Sequence, residues 1–341
     1  MMAKREGPPT SHKSLDRLLH NAAHGDRELE TKLRRAFAAT ILGQMAPEGT
    51  AFKGAGTSPL RLGIEGSRLT TDLDASKPYG MTHADFTAQL IETTAKGWED
   101  FTATIKTQPQ HVPTDENGKP TMDPEIVIMR HEVRLAYRGE PFHKTMFEVG
   151  GAKTPGTPTE LVVPHQELIA LFANLRLPAP EVIKLITAER QIAEKLQAAL
   201  SAADMDKLLA KRREEGKPED GDPRHRAHDL VDIRLLVDWY NRPEVLASRP
   251  LDLASIGAEL VGLLKAESYS GKLLIVGEER WKKEYKDRAN GLGVPQQLGE
   301  ALEWCNYFLD GCLTACAPRL GLSCGSTWPP SGPNLPGPSL I

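Results

Sequence analysis

The chain has 341 residues, of which 40% are hydrophobic and 26% are charged, and its formal net charge is −4. This composition is ordinary for a globular protein, and the length suffices for one large or two medium domains. The small negative charge argues against broad, nonspecific binding to nucleic acid. No apolar run approaches the ~20 residues of a transmembrane helix. Residues 1–14 are polar, lack the apolar core of a secretory signal, and are predicted to be a disordered tail.

The first predicted elements are two helices. From Leu15 to Met45, apolar residues recur at intervals of three and four, which is the period of an amphipathic helix. The pair Gly25-Asp26 is predicted to separate two helices, and the segment 46–49, Ala-Pro-Glu-Gly, is predicted to end the second.

The stretch 52–74 then combines a small-residue turn with two carboxylates. In a strand, Asp72 and Asp74 project from one face while Leu73 points to the core. Neighbouring carboxylates repel each other, and a hard cation such as Mg²⁺ is the usual partner that stabilises them. The turn 54–58, Gly-Ala-Gly-Thr-Ser, offers backbone N–H groups where phosphate can approach closely. Either pattern alone is common as an exposed strand face or an ordinary turn; together they indicate a metal-dependent nucleotide site.

This order of motifs resembles the nucleotidyltransferase superfamily and, more closely, the AbiEii/AbiGii toxin family, whose members read K-G-G-T-x-L and then R-x-[ST]-x-D-[LI]-D. Lys53-Gly54, Gly56-Thr57 and the segment 68–74, RLTTDLD, match that pattern. The sequence departs from it by inserting Ala55 between the glycines and by placing Pro59 after Ser58.

The segment 75–165 is predicted to complete the first domain. Thr82 is expected to cap a helix, residues 108–124 to form a loop, and a hairpin to join strand-like runs on either side of the turn 138–141. The return strand, 142–149, contains Glu148. The resemblance implies that Glu148 is a third carboxylate beside the Asp pair; an exposed strand glutamate is the alternative. Residues 151–160 are predicted to be a linker, with the domain boundary near 165.

Beyond residue 165 the pattern is almost wholly helical. The helix around Lys195, AEKLQAAL, resembles the family's A-E-K-L-x-A-L motif, and the segment 226–233, RAHDLVDI, resembles R-x-[RK]-D-[LI]-x-D-[LI], with His228 in place of Arg or Lys. Unaided, Lys195 would be an ordinary surface lysine and Asp229 and Asp232 carboxylates on one helix face.

Three features lie outside these motifs. The cluster Lys211-Arg212-Arg213 is either a solvated helix end or a surface that contacts the phosphates of a polynucleotide acceptor. The four cysteines near the C-terminus fit neither paired zinc knuckles nor a distributed disulfide framework, and free thiols in a reducing cytoplasm are predicted. Residues 311–341 are rich in Pro, Gly and Ser and are predicted to be a disordered tail.

The predicted fold class is α+β: a nucleotidyltransferase domain over 15–165, with a small mixed β-sheet flanked by helices, followed by a mainly helical domain over 166–310. The resemblance implies the following roles. The catalytic residues are Asp72, Asp74, Lys195 and Asp229. The nucleotide is bound by Gly56, Thr57, Ser58, Arg226 and Asp232, of which Asp232 could instead anchor Arg226 or Lys195. The metal, Mg²⁺ or in its place Mn²⁺, is held by Asp72, Asp74 and Glu148.

The function implied is that of a toxin that transfers a nucleotide from an NTP to a hydroxyl, such as a tRNA 3′ end, in the cytoplasm. A cognate antitoxin is the implied protein partner, and no membrane is involved. Two alternatives stay open: an enzyme that nucleotidylates a small molecule, and a binding protein with a degenerate site.

Overall fold

A computed structural model describes residues 7–110, 112–114, 118–151, 156–214, 226–277 and 279–320, with the side chains of 204 and 206–214 left out. These residues form eleven α-helices and seven β-strands. The helices are α1 (His12–Ala22), α2 (Arg27–Met45), α3 (Ser58–Leu62), α4 (His83–Lys96), α5 (Gln166–Asn174), α6 (Ala188–Glu214), α7 (Ala227–Tyr240), α8 (Pro243–Leu246), α9 (Leu253–Ala266), α10 (Glu279–Ala289) and α11 (Leu298–Cys316). The strands are β1 (Ala51–Lys53), β2 (Asp72–Ser76), β3 (Phe101–Thr107), β4 (Met129–Tyr137), β5 (Glu140–Gly150), β6 (Thr159–Val162) and β7 (Ile183–Ile186).

All seven strands belong to one mixed sheet, in the order β3-β4-β5-β2-β1-β7-β6. At its centre, β2 pairs with β1 in antiparallel and with β5 in parallel orientation. Strand β1 also pairs with β7 in parallel orientation, and β6 closes the edge against β7. The carboxylates of β2 therefore lie on a central strand, which is braced on both sides.

The first core joins this sheet to the helices that precede and follow its strands. Its buried residues run from Leu15 in α1 to Leu185 in β7 and include Phe37, Phe101 and Phe172, whose rings contact one another edge-on or tilted. Side-chain caps start two of the helices. The Asp26 carboxylate accepts hydrogen bonds from backbone N–H groups in the first turn of α2, and the Thr82 hydroxyl accepts from Asp85 N–H at the start of α4. The two predicted N-terminal helices and the Thr82 cap are confirmed.

A second core is built from helices alone. Its buried residues run from Ala188 in α6 to Leu313 in α11, with one addition from the first half of the chain, Leu62 of α3. The thiols of Cys305, Cys312 and Cys316 are free and buried in α11. No helix in the described ranges is both long and apolar enough to cross a membrane.

The α+β fold class is confirmed, but the predicted boundaries need three corrections. Helix α1 begins at His12, capped by Ser11, so the N-terminal tail does not extend to residue 14. The sheet continues past 165 through β7, and the helical part begins at Ala188. Helix α11 continues to Cys316 and a 3-10 turn to Leu320, so the C-terminal tail does not begin at 311; residues 321–341 lie outside the described chain.

The sheet is also larger than predicted. Strand β3 follows α4 directly, β6 starts inside the segment 151–160 predicted as a linker, and β7 occupies a stretch predicted as helical. The run 126–128, predicted to be part of the hairpin, precedes β4, and its residues Ile126 and Ile128 are exposed.

Candidate active site

The acidic pair lies on one face of β2, as strand alternation requires. Asp72 is exposed, Asp74 is half-buried, and Leu73 between them is packed in the first core. The Asp72 carboxylate accepts a hydrogen bond from the Thr71 hydroxyl at 3.0 Å. The described residues supply no hydrogen-bond donor to the carboxylate of Asp74.

Burial and like charge act together on Asp74. Burial raises the pKa of Asp74 to about 6; Glu148 and Asp72 add to the rise, whereas Lys53 and Lys195 oppose it. Lys53 lies directly opposite Asp74 in the β1–β2 ladder, and its ammonium is 3.3 Å from the carboxylate of Glu194 on α6. The lysine is thus shared between two carboxylates, and Asp74 remains electrostatically unsatisfied, which is a state that a bound cation would relieve.

Glu148 lies beside the pair but has a partner of its own. It is opposite Asp74 in the β2–β5 register, and its carboxylate accepts from Arg130 Nε at 2.8 Å. Within the described part of the chain, no set of three acidic, His or Cys side chains is close enough to hold a metal ion. The two carboxylates of β2 fit the oxygen chemistry of Mg²⁺, and Glu148 would have to leave Arg130 to join them.

The glycine turn before α3 is packed against β2. Gly54 has a φ of 73°, and a Cβ placed on it would come within 2.1 Å of Asp74 Oδ2. A Cβ on Gly56 would lie 2.5 Å from the carbonyl oxygen of Asp72. Glycine is required at both positions because the turn approaches the strand so closely.

The side chains of Thr57 and Ser58, which were predicted to contact phosphate, are buried in the turn. The Thr57 side chain is fully buried, and its hydroxyl donates to the Gly54 carbonyl at 2.8 Å. Ser58 is also buried, and its backbone N–H donates to the carbonyl of Ala55. These groups close the turn, in which residues 55–57 form a 3-10 helix.

A buried charge network lies on the helical side of the site. Lys195 Nζ of α6 donates to Asp229 Oδ1 at 2.8 Å and to Asp232 Oδ2 at 2.7 Å, both on α7. Arg68, from the segment before β2, makes a two-pronged contact with Asp232, through Nε at 2.6 Å and Nη2 at 2.9 Å. All four side chains are buried.

The network keeps its members ionised. Burial lowers the pKa of Lys195, but Asp229 and Asp232 more than offset this effect and raise it. Burial likewise raises the pKa of Asp232, but Lys195 and Arg68 shift it well below its usual range. Lys195 spends two of its three N–H donors on these carboxylates, which leaves one for a ligand.

The remaining predicted residues are at the margin of the network. Arg226 is partly exposed and lies 3.5 Å from Asp229, so it is not the partner of Asp232. His228 Nδ1 donates to the Glu284 carboxylate at 2.8 Å. The side chains of the cluster Lys211-Arg212-Arg213 lie outside the described part of the structure.

Two residues of the site were missed as functional candidates in the sequence. Lys53 directly precedes the glycine turn, and antiparallel pairing of β1 with β2 places it next to Asp74. Arg68 is part of the RLTTDLD segment, but its partner Asp232 is 164 residues away. The spacing of Lys53 and the turn could have indicated the first; no local pattern indicates the second.

An acidic pair on a central strand of a mixed sheet, beside a glycine turn and facing a buried lysine, is the arrangement of a nucleotidyltransferase. Residues 36–304 match the family model described as the nucleotidyl transferase AbiEii toxin of type IV toxin–antitoxin systems. The chain therefore belongs to the AbiEii family, and it is a nucleotidyltransferase of the toxin type.

Two solved structures show a distant likeness. MenT4, a nucleotidyltransferase toxin from Mycobacterium tuberculosis H37Rv, is 16% identical with a TM-score of 0.46, covering 88% of this chain and 98% of its own. An antigenic nucleotidyltransferase-like protein from Paracoccidioides brasiliensis is 13% identical with a TM-score of 0.36, covering 69% and 89% respectively. No curated protein matches the chain.

Proposed function

We propose that the enzyme transfers a nucleotide from an NTP to a hydroxyl group, such as a tRNA 3′ end, in a reaction that depends on Mg²⁺. The observation that carries this proposal is the unsatisfied carboxylate of Asp74, whose pKa burial raises to about 6 beside the exposed Asp72. A structural carboxylate in such a place would be paired. A carboxylate that awaits a cation would not.

Asp72 and Asp74 would hold the metal, with Glu148 as a further ligand once it leaves Arg130. Bound there, Mg²⁺ would neutralise the triphosphate and favour an in-line displacement at the α-phosphorus. In that displacement the acceptor oxygen bonds to the α-phosphorus, the bond to pyrophosphate breaks, and the hydroxyl proton passes to solvent.

Lys195 has the role of stabilising charge on the departing pyrophosphate. Its ammonium is held in place by Asp229 and Asp232, so its remaining donor needs little reorganisation during the reaction. Asp229 positions Lys195 and does not contact the nucleotide itself. Gly56 contributes close approach of the backbone, whereas the Thr57 hydroxyl and the Ser58 backbone N–H maintain the turn.

The family context supports the biological part of the proposal. Membership in a type IV toxin–antitoxin family implies a cognate antitoxin that counters the enzyme and an NTP as its substrate. We place its action in the cytoplasm, where NTPs and tRNA occur together.

The test uses the full chain with labelled NTPs, Mg²⁺ or Mn²⁺, and either total tRNA or a pool of metabolites. Pyrophosphate release with label in the RNA is the expected result, and Asp74→Asn should abolish both. Lys265→Ala, which removes an exposed lysine of α9, is the control and should leave turnover unchanged.

The other outcomes separate the alternatives. Label found only in a small molecule would replace the tRNA acceptor with a metabolite. Absence of pyrophosphate release with either acceptor and either metal would refute the proposal and leave a nucleotide-binding protein.

A further inference from the structure

A cleft opens beside Asp72, on the side where α2 meets the segment that precedes β2. Its lining includes Lys32, Arg35 and Arg68 but only one carboxylate, that of Asp72. Neither Asp74 nor Lys195 belongs to the lining. The cleft is therefore a cationic pocket that adjoins the proposed site. It shares Asp72 with the metal site, Gly56 with the glycine turn and Arg68 with the buried network, but Lys195 is not in its lining.

The three cations of the cleft differ in how far they are satisfied. Arg68 is fully engaged with Asp232, and Lys32 is 3.7 Å from Glu28, an exposed carboxylate. Arg35 donates to the carbonyl oxygen of Thr70, and within the described chain it forms no ion pair with a carboxylate. A guanidinium and an ammonium on one wall, without a firm acidic partner, are the groups that bind phosphate.

The surroundings of Arg35 show the same positive character. Burial lowers the pKa of His143 on β5, and Arg35 and Arg34 lower it further. Thr70 and Thr145 are also in the lining. The cleft thus combines positive potential with polar groups that can donate hydrogen bonds.

We infer that this cleft binds a phosphate group of the acceptor, next to the hydroxyl that receives the nucleotide. The inference rests on the proposed function, in which the pyrophosphate leaves toward Lys195. In an in-line displacement the attacking and leaving oxygens lie on opposite sides of the phosphorus. The acceptor then approaches from the side of Asp72 away from Lys195, and Lys32 and Arg35 hold its phosphate. The acceptor is accordingly a phosphorylated molecule, and a nucleic acid 3′ end is one that carries such a phosphate.

The experiment measures binding without turnover. The full chain in EDTA is titrated into a 5′-fluorescein-labelled RNA of twelve nucleotides with a free 3′ hydroxyl, and separately into AMP as a small phosphate ligand. The variant is Lys32→Gln/Arg35→Gln. The charge-matched control is Arg17→Gln/Arg27→Gln, which removes two exposed arginines of α1 and α2 outside the cleft.

The expected result is a loss of RNA affinity of at least about tenfold in the cleft variant, with a salt slope reduced by about one for each lost phosphate contact. The control should change affinity less than about twofold. Since Arg35 also donates to a backbone carbonyl, Lys32→Gln alone is measured too. The Lys32 ammonium makes no hydrogen bond to a backbone group of the described residues, and the single variant should still weaken binding.

The remaining outcomes are decisive. A loss of AMP binding with RNA binding intact supports the phosphate site with a small phosphorylated acceptor. Unchanged binding of both ligands overturns the inference. So does a loss confined to a non-hydrolysable NTP measured with Mg²⁺, because the cleft would then hold the triphosphate. If no pyrophosphate is released with any acceptor but RNA binding still needs Lys32 and Arg35, the proposed function fails and the phosphate site stands.

Discussion

The acidic pair on β2 and the network around Lys195 are both clusters of charge, but they are balanced in opposite ways. In the network, each buried cation contacts a carboxylate within 2.9 Å, so removing one member leaves another uncompensated. In the pair, Asp74 has no hydrogen-bond donor in the described chain, and burial raises its pKa to about 6. The network is therefore balanced within the protein, whereas on the proposed function the pair would be balanced only by a bound cation.

The largest expected effect is on catalysis and follows from a change in the acidic pair of β2. Asp74→Asn keeps the shape of the side chain but removes the charge proposed to bind the metal, and turnover should fall by at least about a hundredfold. Pyrophosphate release at saturating Mg²⁺ measures it, and Asp287→Asn, an exposed residue of α10, is the control. Normal turnover in Asp74→Asn would remove this pair from the active site.

A change in the network around Lys195 should lower the free energy of unfolding. Asp232→Asn leaves Lys195 and Arg68 with a neutral partner in a buried site, and the free energy of unfolding should fall by about 3–5 kcal/mol. Asp238→Asn, on the same helix, breaks only a partly exposed pair with Arg234 and should cost less than about 1 kcal/mol. Denaturant unfolding compares the two; equal losses would contradict the assignment of the network as the structural unit.

The raised pKa of Asp74 gives a pH dependence of metal binding. Below about pH 6 the carboxyl is protonated in the folded, metal-free protein, so a cation must displace a proton. Affinity for Mn²⁺ should therefore increase by up to about tenfold per pH unit between pH 5 and 6 and level off above pH 7. Calorimetric titration at four pH values measures this, and a flat profile in the wild type would contradict it.

The raised pKa of Asp74 also predicts that, without metal, the stability of the fold decreases as pH rises. Between the unfolded pKa near 3.8 and the folded pKa of about 6, the folded state holds more protons than the unfolded state, so this group's contribution to stability decreases as pH rises. Asp74→Asn should consequently be more stable than the wild type at pH 8, without metal, and lose that advantage near pH 4. Melting temperatures in EDTA at both pH values test it.

The smallest effect concerns Glu148, which lies beside the unpaired Asp74 but is itself paired with Arg130. Arg130 is 60% exposed, so Arg130→Gln should change the free energy of unfolding by less than about 1 kcal/mol. It should also free Glu148 and raise affinity for Mn²⁺ by a few-fold if Glu148 is a metal ligand. An unchanged metal affinity would assign Glu148 to the surface ion pair alone.

The sequence predicts the acidic pair well because strand alternation is a local property. Within Asp72-Leu73-Asp74, alternation alone predicts that the two carboxylates share one face and the leucine the other, and the structure places the leucine in the core as expected. Strand β3 had a similar signal, since Phe101 and Ala103 are buried and Thr102 and Thr104 are exposed, but it was overlooked. Four-residue β7 is different: Ile183, Leu185 and Ile186 are buried in a run too short to distinguish strand from helix.

The charge partners in the network could not be predicted in the same way. The spacing of Asp229 and Asp232 places both on one helix face, but nothing local states which cation each one meets. Asp232 takes Arg68 from the other half of the chain, and Arg226, which is close in sequence, contacts Asp229 instead. The bond from the Thr57 hydroxyl to the Gly54 carbonyl could not be predicted either, because it depends on the backbone geometry of the 3-10 turn, which composition does not reveal.

The contact between Arg68 and Asp232 has a consequence for the order in which the enzyme is made. A ribosome that has reached residue 228 has already synthesised every strand of the sheet and both carboxylates of β2, but neither acidic residue that holds Lys195. Until α7 emerges, Arg68 and Lys195 lack the carboxylates that they contact in the folded chain. A chain that ends before α7 therefore lacks the carboxylates that hold Lys195, and we expect it to release no pyrophosphate.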